Sequence, residues 1–347
     1  LAVPLVVAVS TSLSARKGIL IRNRRAFERI KDLDAVVFDK TGTLTEGAFE
    51  VVSVVSFADL SEDEVLRYAA SLEAMSEHPI AAGIVEKAKT KGLEFLKVEK
   101  FKAIPGKGVE GIIEGKDVVV ASPYFLKELG LYREIADNQQ LEELREKGAT
   151  VVFVVVDGEV IGAIGLADKV RPESREAVQL LRDMGIKVYM LTGDNVRVAR
   201  QVAEELKLGG FFAEVLPHEK SKKIKELQSK GLIVAMVGDG INDAPALVQA
   251  DVGVAIGAGT DVAIESADII LVRNDPRDVV TAIKLARKTY SKMLQNLVWA
   301  TAYNSVAIPL ATGVLYGAGI ILSPAVGAIL MSASTVIVAI NARLLSA

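Results

Sequence analysis

The chain holds 347 residues, which at about 150 residues per domain calls for two or three domains rather than one small module. Its 41 Lys and Arg against 44 Asp and Glu leave a net charge of −3, without the basic excess of a nucleic-acid binder. The absence of cysteine excludes disulfides, thiolate metal sites and cysteine nucleophiles, and two histidines leave little for imidazole ligation. The charges are unevenly placed: none lies between Leu1 and Ala15, and from Asn296 to Ala347 there is only Arg343. Mean hydropathy is therefore +0.34 although 24% of residues are charged, the mark of a membrane protein with a large soluble insert.

In chain order, residues 1–15 read as the end of a transmembrane helix, kinked at Pro4 and too short to span alone. The run is too abrupt for a signal peptide, and the chain reads as the C-terminal part of a longer protein. Residues 16–32 form a basic flank of Arg16, Lys17, Arg22, Arg24, Arg25, Arg29 and Lys31, placed in the cytoplasm by the positive-inside rule. At the other end, Lys284, Arg287, Lys288 and Lys292 precede apolar segments at 296–317 and 323–345, which read as a transmembrane hairpin with Trp299, Tyr303 and Tyr316 as interfacial anchors.

Between the flanks, short runs apolar on both faces (35–38, 186–191, 233–237, 252–256 and 269–272) suit buried parallel strands. The stretches 172–184, 195–208 and 219–230 each stop before a glycine and read as covering helices, which gives a doubly wound α/β domain over 33–47 and 167–290. Residues 48–166 have a different grammar and read as a domain inserted after the first strand. In it, Ser61 and Glu64 make a capping box, and Asp157-Gly158 and Glu114-Gly115 each turn a hairpin.

The chemistry gathers at strand ends. Asp39-Lys40-Thr41-Gly42-Thr43-Leu44-Thr45 follows the first strand, in the crevice where parallel sheets bind ligands. Phosphoryl transfer needs a nucleophile, cations and donors for the equatorial oxygens. Asp39 is the candidate nucleophile. Asp239, in Gly238-Asp239-Gly240-Ile241-Asn242-Asp243, can hold Mg2+ together with Asp39, with Asn242 and Asp243 supporting it. Thr192-Gly193-Asp194 offers a hydroxyl and amides for phosphate oxygens, and Lys220 a positive charge. Singly, each of these reads as a common turn or a solvated lysine; together, at consecutive strand ends, they point to one site.

Asp39 to Thr45 and Gly238 to Leu247 resemble the phosphorylation and hinge motifs of P-type ATPases, and the match extends over nearly the whole chain. The resemblance implies a haloacid-dehalogenase-like phosphorylation domain with an inserted α+β nucleotide-binding domain, plus transmembrane helices. It implies ATP and Mg2+ as cofactors, with Lys40 and Thr41 joining the catalytic set and Thr41 the Mg2+ site. Related phosphatases place a second Asp where this chain has Thr41; without that built-in base an aspartyl phosphate survives longer, which suits a pump. A Thr41→Asp variant that hydrolysed its phosphoenzyme no faster would contradict this.

Ser76-Glu77-His78-Pro79 with Glu73 resembles the nucleotide signature of the heavy-metal branch: His78 to pack on adenine, Glu73 to accept from a purine amine. Gly106-Lys107-Gly108 resembles its second nucleotide element, where missing side chains let backbone approach the ligand. Ala121-Ser122-Pro123 departs from the Gly-Asn of many members. Polar groups at membrane depth are functional candidates, with helix packing as the alternative. Tyr303-Asn304 and Met331-Ser332-Ala333-Ser334-Thr335 resemble the copper-transporting subgroup with a Cys-Pro-His membrane motif (CopB-like), and the Met331 thioether is a soft ligand suited to copper(I). The resemblance implies export of copper through Tyr303, Asn304, Met331 and Thr335, from the plasma membrane with the catalytic domains cytoplasmic. The partners are then ATP, a copper ion, the bilayer and the upstream actuator and membrane helices, and no nucleic acid. The alternatives are zinc, cadmium or lead as the ion, a membrane-tethered phosphatase, and a catalytically silent interaction module.

Overall fold

A computed structural model describes the chain apart from residues 1, 58, 136–137, 147, 258–259, 319–322 and 346–347, so the first residue of the expected initial helix and part of the expected turn before the last helix lie outside the described residues. The chain divides into two compact units, one of residues 1–38, 176–188 and 217–347, the other of residues 39–175 and 189–216.

In the first unit the strands Val252–Ile256, Val234–Gly238 and Ala35–Asp39 pair in parallel, with Met236 opposite Val37 and Val237 opposite Phe38. Ile269–Leu271 continues the parallel set, and Ile19–Ile21 closes the edge antiparallel to it. Val36, Phe38, Val234, Met236 and Ile256 are fully buried, as strands covered on both faces require. Asp239 follows the carboxyl end of one of these parallel strands, and Asp39, where the chain passes into the second unit, closes another. The helix Lys220–Ser229 and the helix Ala244–Gln249 belong to the same unit.

Its longer helices are Ala2–Arg16, Arg277–Ala311 and Pro324–Arg343. Pro4 lies within the first of these helices. The basic flank 284–292 and the apolar segment after it are one continuous 35-residue helix rather than a flank and a separate span. That helix stops at Ala311, short of the expected 317, because Gly313 at φ +81° turns the backbone out of the helix. Among the described residues one helix, Ala325–Arg343, is long and apolar enough to cross a membrane.

The second unit is built on a six-stranded antiparallel sheet in the order Thr45–Ser56, Glu159–Val170, Thr150–Val156, Lys116–Ala121, Gly108–Ile113, Val98–Ile104. Strand alternation makes two cores: Val152, Val154 and Val156 face one with Leu66, Leu72 and Ile84, while Val151, Phe153 and Val155 face another with Leu126, Leu141 and Leu144. Both expected hairpin turns are present, with positive φ at Asp157 and Gly158 and at Glu114 and Gly115, as a type I′ turn demands. The capping box also forms: Glu64 N–H donates to Ser61 Oγ, and Ser61 N–H to Glu64 Oε2 at 2.9 Å. The strand Lys187–Leu191 runs from the first unit into the second and pairs in parallel with Gly210–Phe212.

Candidate active site

Asp39 is buried at the end of its strand, and the next five residues make a tight loop with Gly42 at φ +79°. Lys40 is buried with its Nζ 2.8 Å from Asp194 Oδ2 and 3.3 Å from Asp168 Oδ2. Thr192 Oγ1 donates to Asp194 Oδ2 at 2.9 Å, so Thr192, Asp194 and Lys40 are brought into one cluster. Gly193 between them needs no positive φ, and a Cβ there would meet only the Val215 carbonyl at 3.6 Å. The fold does not demand glycine at that position. Thr41 is exposed in the loop.

Two residues that sequence reading missed hold this loop. Asp168 accepts from Thr45 Oγ1 at 2.6 Å and from Gly47 N–H at 3.1 Å. Arg171 donates to the Thr45 carbonyl at 2.9 Å and to the Gly42 carbonyl at 3.2 Å. Both are more than 120 residues away from their partners. Their only local sign was an acid and a base at the end of an apolar strand.

In the first unit, Lys220 Nζ lies 2.7 Å from Asp243 Oδ1, both side chains buried. The other Asp243 oxygen accepts from Gly240 N–H at 3.2 Å. A Cβ on Gly238 would come within 2.9 Å of three Asp243 side-chain atoms, so glycine at 238 is what lets Asp243 sit there. Asp239 is half-buried and Asn242 exposed. His218 lies exposed at a helix start.

The second unit contains a cavity of about 330 Å³, and it gathers all four expected nucleotide residues: Glu73, His78, Gly106 and Gly108. Ile80, Ile104, Pro105 and Val109 give it an apolar lining suited to a ring face. Burial pushes the Glu73 carboxyl up to about 7, against a smaller opposing effect of a hydrogen bond from Ser76. His78 caps its own helix, its Nδ1 accepting from Ile80 N–H at 3.2 Å, which fixes the ring and leaves Nε2 exposed. The two glycines differ. A Cβ on Gly108, at φ +145°, would collide with the Val120 carbonyl oxygen, so strand packing alone requires that glycine; at Gly106, φ +73°, a Cβ would meet nothing within 4 Å. Ser122, which had no expected role, caps the helix Pro123–Glu128 and lines the cavity.

Of the residues expected to carry the transported ion, Tyr303 and Asn304 lie on the long helix and Met331 and Thr335 on the last one. Tyr303 Oη donates to the Gly327 carbonyl at 3.4 Å, and Thr335 Oγ1 to the Met331 carbonyl of its own helix at 3.0 Å. Asn304 and Met331 are exposed. The described residues thus do not gather the four into one ligand set.

Residues 33–251 match the model of the haloacid dehalogenase-like hydrolases. The chain is 66% identical over 345 residues to the copper-exporting P-type ATPase B of Archaeoglobus fulgidus, covering 99% of this chain and 49% of that protein. The chain spans about half the length of the curated relatives it matches. Among solved structures it resembles a zinc-transporting PIB-type ATPase in its E2.Pi state, with a TM-score of 0.87 and 36% identity, over 99% of this chain and 55% of that one. It also resembles the catalytic domain of the CPx-ATPase CopB-B, with a TM-score of 0.64 and 35% identity, over 79% of this chain and 98% of that one.

Proposed function

The chain belongs to the haloacid-dehalogenase-like hydrolases and, within them, to the P-type ATPases, and from that membership we propose that it is the catalytic core of an ATP-driven copper exporter. In this reading an Asp39 carboxylate oxygen attacks the γ-phosphorus of ATP. A P–O bond to Asp39 forms, the bond to the β-phosphate oxygen breaks, and ADP leaves. Water later attacks the same phosphorus, releasing inorganic phosphate and restoring Asp39. Lys40, held between Asp168 and Asp194, keeps a fixed positive charge beside the nucleophile. Thr192 and Gly193 present a hydroxyl and an amide to phosphate oxygens, and Arg171 holds the loop that aims Asp39. The role of Thr41 is to leave the aspartyl phosphate without an adjacent carboxylate base.

Mg2+ fits the donors present. Asp39 and Asp239 each offer a hard carboxylate oxygen of the kind it prefers, and Thr41 a hydroxyl on the loop after Asp39, while Asp243 is committed to Lys220. Bound there, the ion neutralises charge on the transferring phosphoryl group. ATP fits the cavity: its volume and apolar lining suit an adenine ring, with Glu73 facing the purine edge and Gly106 open to backbone approach.

The observation that carries this reading is the Asp39 loop, buried at a parallel strand end and locked by Lys40, Asp168 and Arg171. Copper is favoured as cargo because no formal charge lies between Asn296 and Ala342, where a divalent-ion pump would use one, and because Met331 is a soft donor. A zinc cargo is the second reading, supported by the likeness to the zinc-transporting structure. In this reading the long and last helices lie in a bilayer, that of the plasma membrane, with the catalytic units in the cytoplasm. The test is ATP hydrolysis by the native full-length protein against copper(I), copper(II), zinc(II) and cadmium(II). Stimulation by copper alone is expected; stimulation by zinc or cadmium would overturn the cargo and keep the enzyme.

A further inference from the structure

The long helix Arg277–Ala311 is about 52 Å of continuous rod at 1.5 Å per residue. Its first turns are buried in the first unit, where Asp278, Val279, Ile283 and Leu285 are at most 2% exposed. Further along stand Thr289, Lys292, Asn296 and Tyr303, at intervals of three, four and seven residues and therefore on one face. Each of the four makes a polar bond to the first or the last helix. Thr289 Oγ1 gives its proton to its own Leu285 carbonyl, so the 2.8 Å contact with Ser10 is a bond donated by Ser10 of the first helix. Lys292 Nζ donates to Asn341 Oδ1 of the last helix at 2.9 Å. Tyr303 Oη donates to the Gly327 carbonyl of the last helix.

Asn296 is the central rung and is fully buried. Its Nδ2 donates to the Ala2 carbonyl at 3.1 Å and the Val338 carbonyl at 3.4 Å, and its Oδ1 accepts from Asn341 Nδ2 at 2.7 Å. One carboxamide thus ties all three helices, with its two donors and an acceptor lone pair used. A packing residue needs no such saturation; apolar side chains would fill the space at lower desolvation cost. Small and apolar residues let helices slide by fractions of a turn, whereas a set of directional bonds at fixed spacing admits one register.

We propose that Asn296, held by Asn341 and Lys292, is a positioning residue that sets the register of the long helix against the first and last helices. It thereby fixes where Tyr303, two turns further along the same face, stands in the transport path. The role rests on the pump reading given above: a rod rooted in the first unit transmits the phosphorylation of Asp39 to the path only if its register there is defined. Asn296 touches neither ATP nor Asp39 and acts through the helices it ties.

The test uses the native full-length protein in lipid vesicles. Asn296→Leu, Asn341→Leu and the double variant are compared for acid-stable phosphate on Asp39 formed from ATP and for the kcat of copper-stimulated hydrolysis. Phosphate incorporation should stay within about twofold of wild type while kcat falls tenfold or more in each single variant. The double variant should be slowed by much less than the product of the two single losses, because the bond between Asn296 and Asn341 is lost in either single variant. Losses that multiply, incorporation that falls in step with kcat, or wild-type kcat in Asn296→Leu would each overturn the proposal. Absence of copper stimulation in the wild type would instead overturn the pump reading. The register would then be read by oxidative cross-linking in a cysteine-free background. Ser10→Cys should join Thr289→Cys alone, and on adding Asn296→Leu should join Met293→Cys as well. An unchanged cross-linking pattern would overturn the clamp whatever the cargo, and serves equally if a variant is poorly expressed.

Discussion

The phosphorylation loop and the nucleotide cavity belong to the same unit and are built on opposite plans. In the loop Lys40 lies between two carboxylates, Asp168 takes two donors, and Arg171 holds two carbonyls. Such a network is costly to disturb and resists reorganisation, as preorganised charge stabilisation requires. The cavity is instead apolar, with one buried carboxyl pushed toward neutrality and an open glycine. Its capacity is left for a ligand. On the proposed reading the loop serves a transition state and the cavity a ground-state ring, so substitutions in the first should act on kcat and in the second on KM.

The sharpest way to break that contrast is Lys40→Met. It leaves Asp168 and Asp194 without their cation beside the nucleophile and should lower kcat about 100-fold to 1000-fold, with the KM for ATP changed less than about threefold. A rise in KM with normal kcat would assign Lys40 to binding.

Next in size is the pair of cavity glycines. Gly108→Ala must push its Cβ into the Val120 carbonyl at a φ that favours glycine, and should cost about 3–5 kcal/mol in denaturant unfolding. Gly106→Ala has open space and should cost only about 1 kcal/mol for its positive φ while raising the KM for ATP. Equal stabilities would show that the two glycines are not distinguished as the backbone indicates.

Glu73→Gln is a smaller, pH-dependent test. The folded carboxyl titrates near 7 and the unfolded one near 4.5, so the native state binds more protons between these values. Stability therefore falls as pH rises from about 4.5 to 7, by at most about 3.4 kcal/mol at 1.36 kcal/mol per unit, and the deficit persists above 7. Glu73→Gln should recover it at pH 8, change little at pH 4.5, and raise the KM for ATP about tenfold through the lost acceptor. A variant with no gain at pH 8 would mean that the carboxyl is ionised at no cost in the native protein.

What could be read from sequence were features whose cause is local. Buried parallel strands announce themselves as runs apolar on both faces, Asp157-Gly158 as a hairpin turn, Ser61 with Glu64 as a cap, and Asp39 to Thr45 as a contiguous motif. Glu73, His78, Gly106 and Gly108 lie within 36 residues and share one cavity. What stayed hidden was long-range pairing. Asp168 and Arg171 look like a solvated strand end until the Asp39 loop folds back 120 residues onto them. Lys220 looks solvated until Asp243 is placed beside it. Asn296 looks like the polar edge of an apolar segment, because its partners at Ala2, Val338 and Asn341 lie on other helices. The boundary at Ala311 was misplaced because hydropathy continues through Thr312 and Gly313 while the backbone does not.

The central claim is that Asp39 carries phosphate. The direct measurement is incubation of the native full-length protein with γ-labelled ATP and Mg2+, acid quenching, and treatment with hydroxylamine, beside an Asp39→Asn control. The account predicts label that survives acid, is released by hydroxylamine as an acyl phosphate should be, and is absent from Asp39→Asn. Label retained by Asp39→Asn, or label resistant to hydroxylamine, would contradict it.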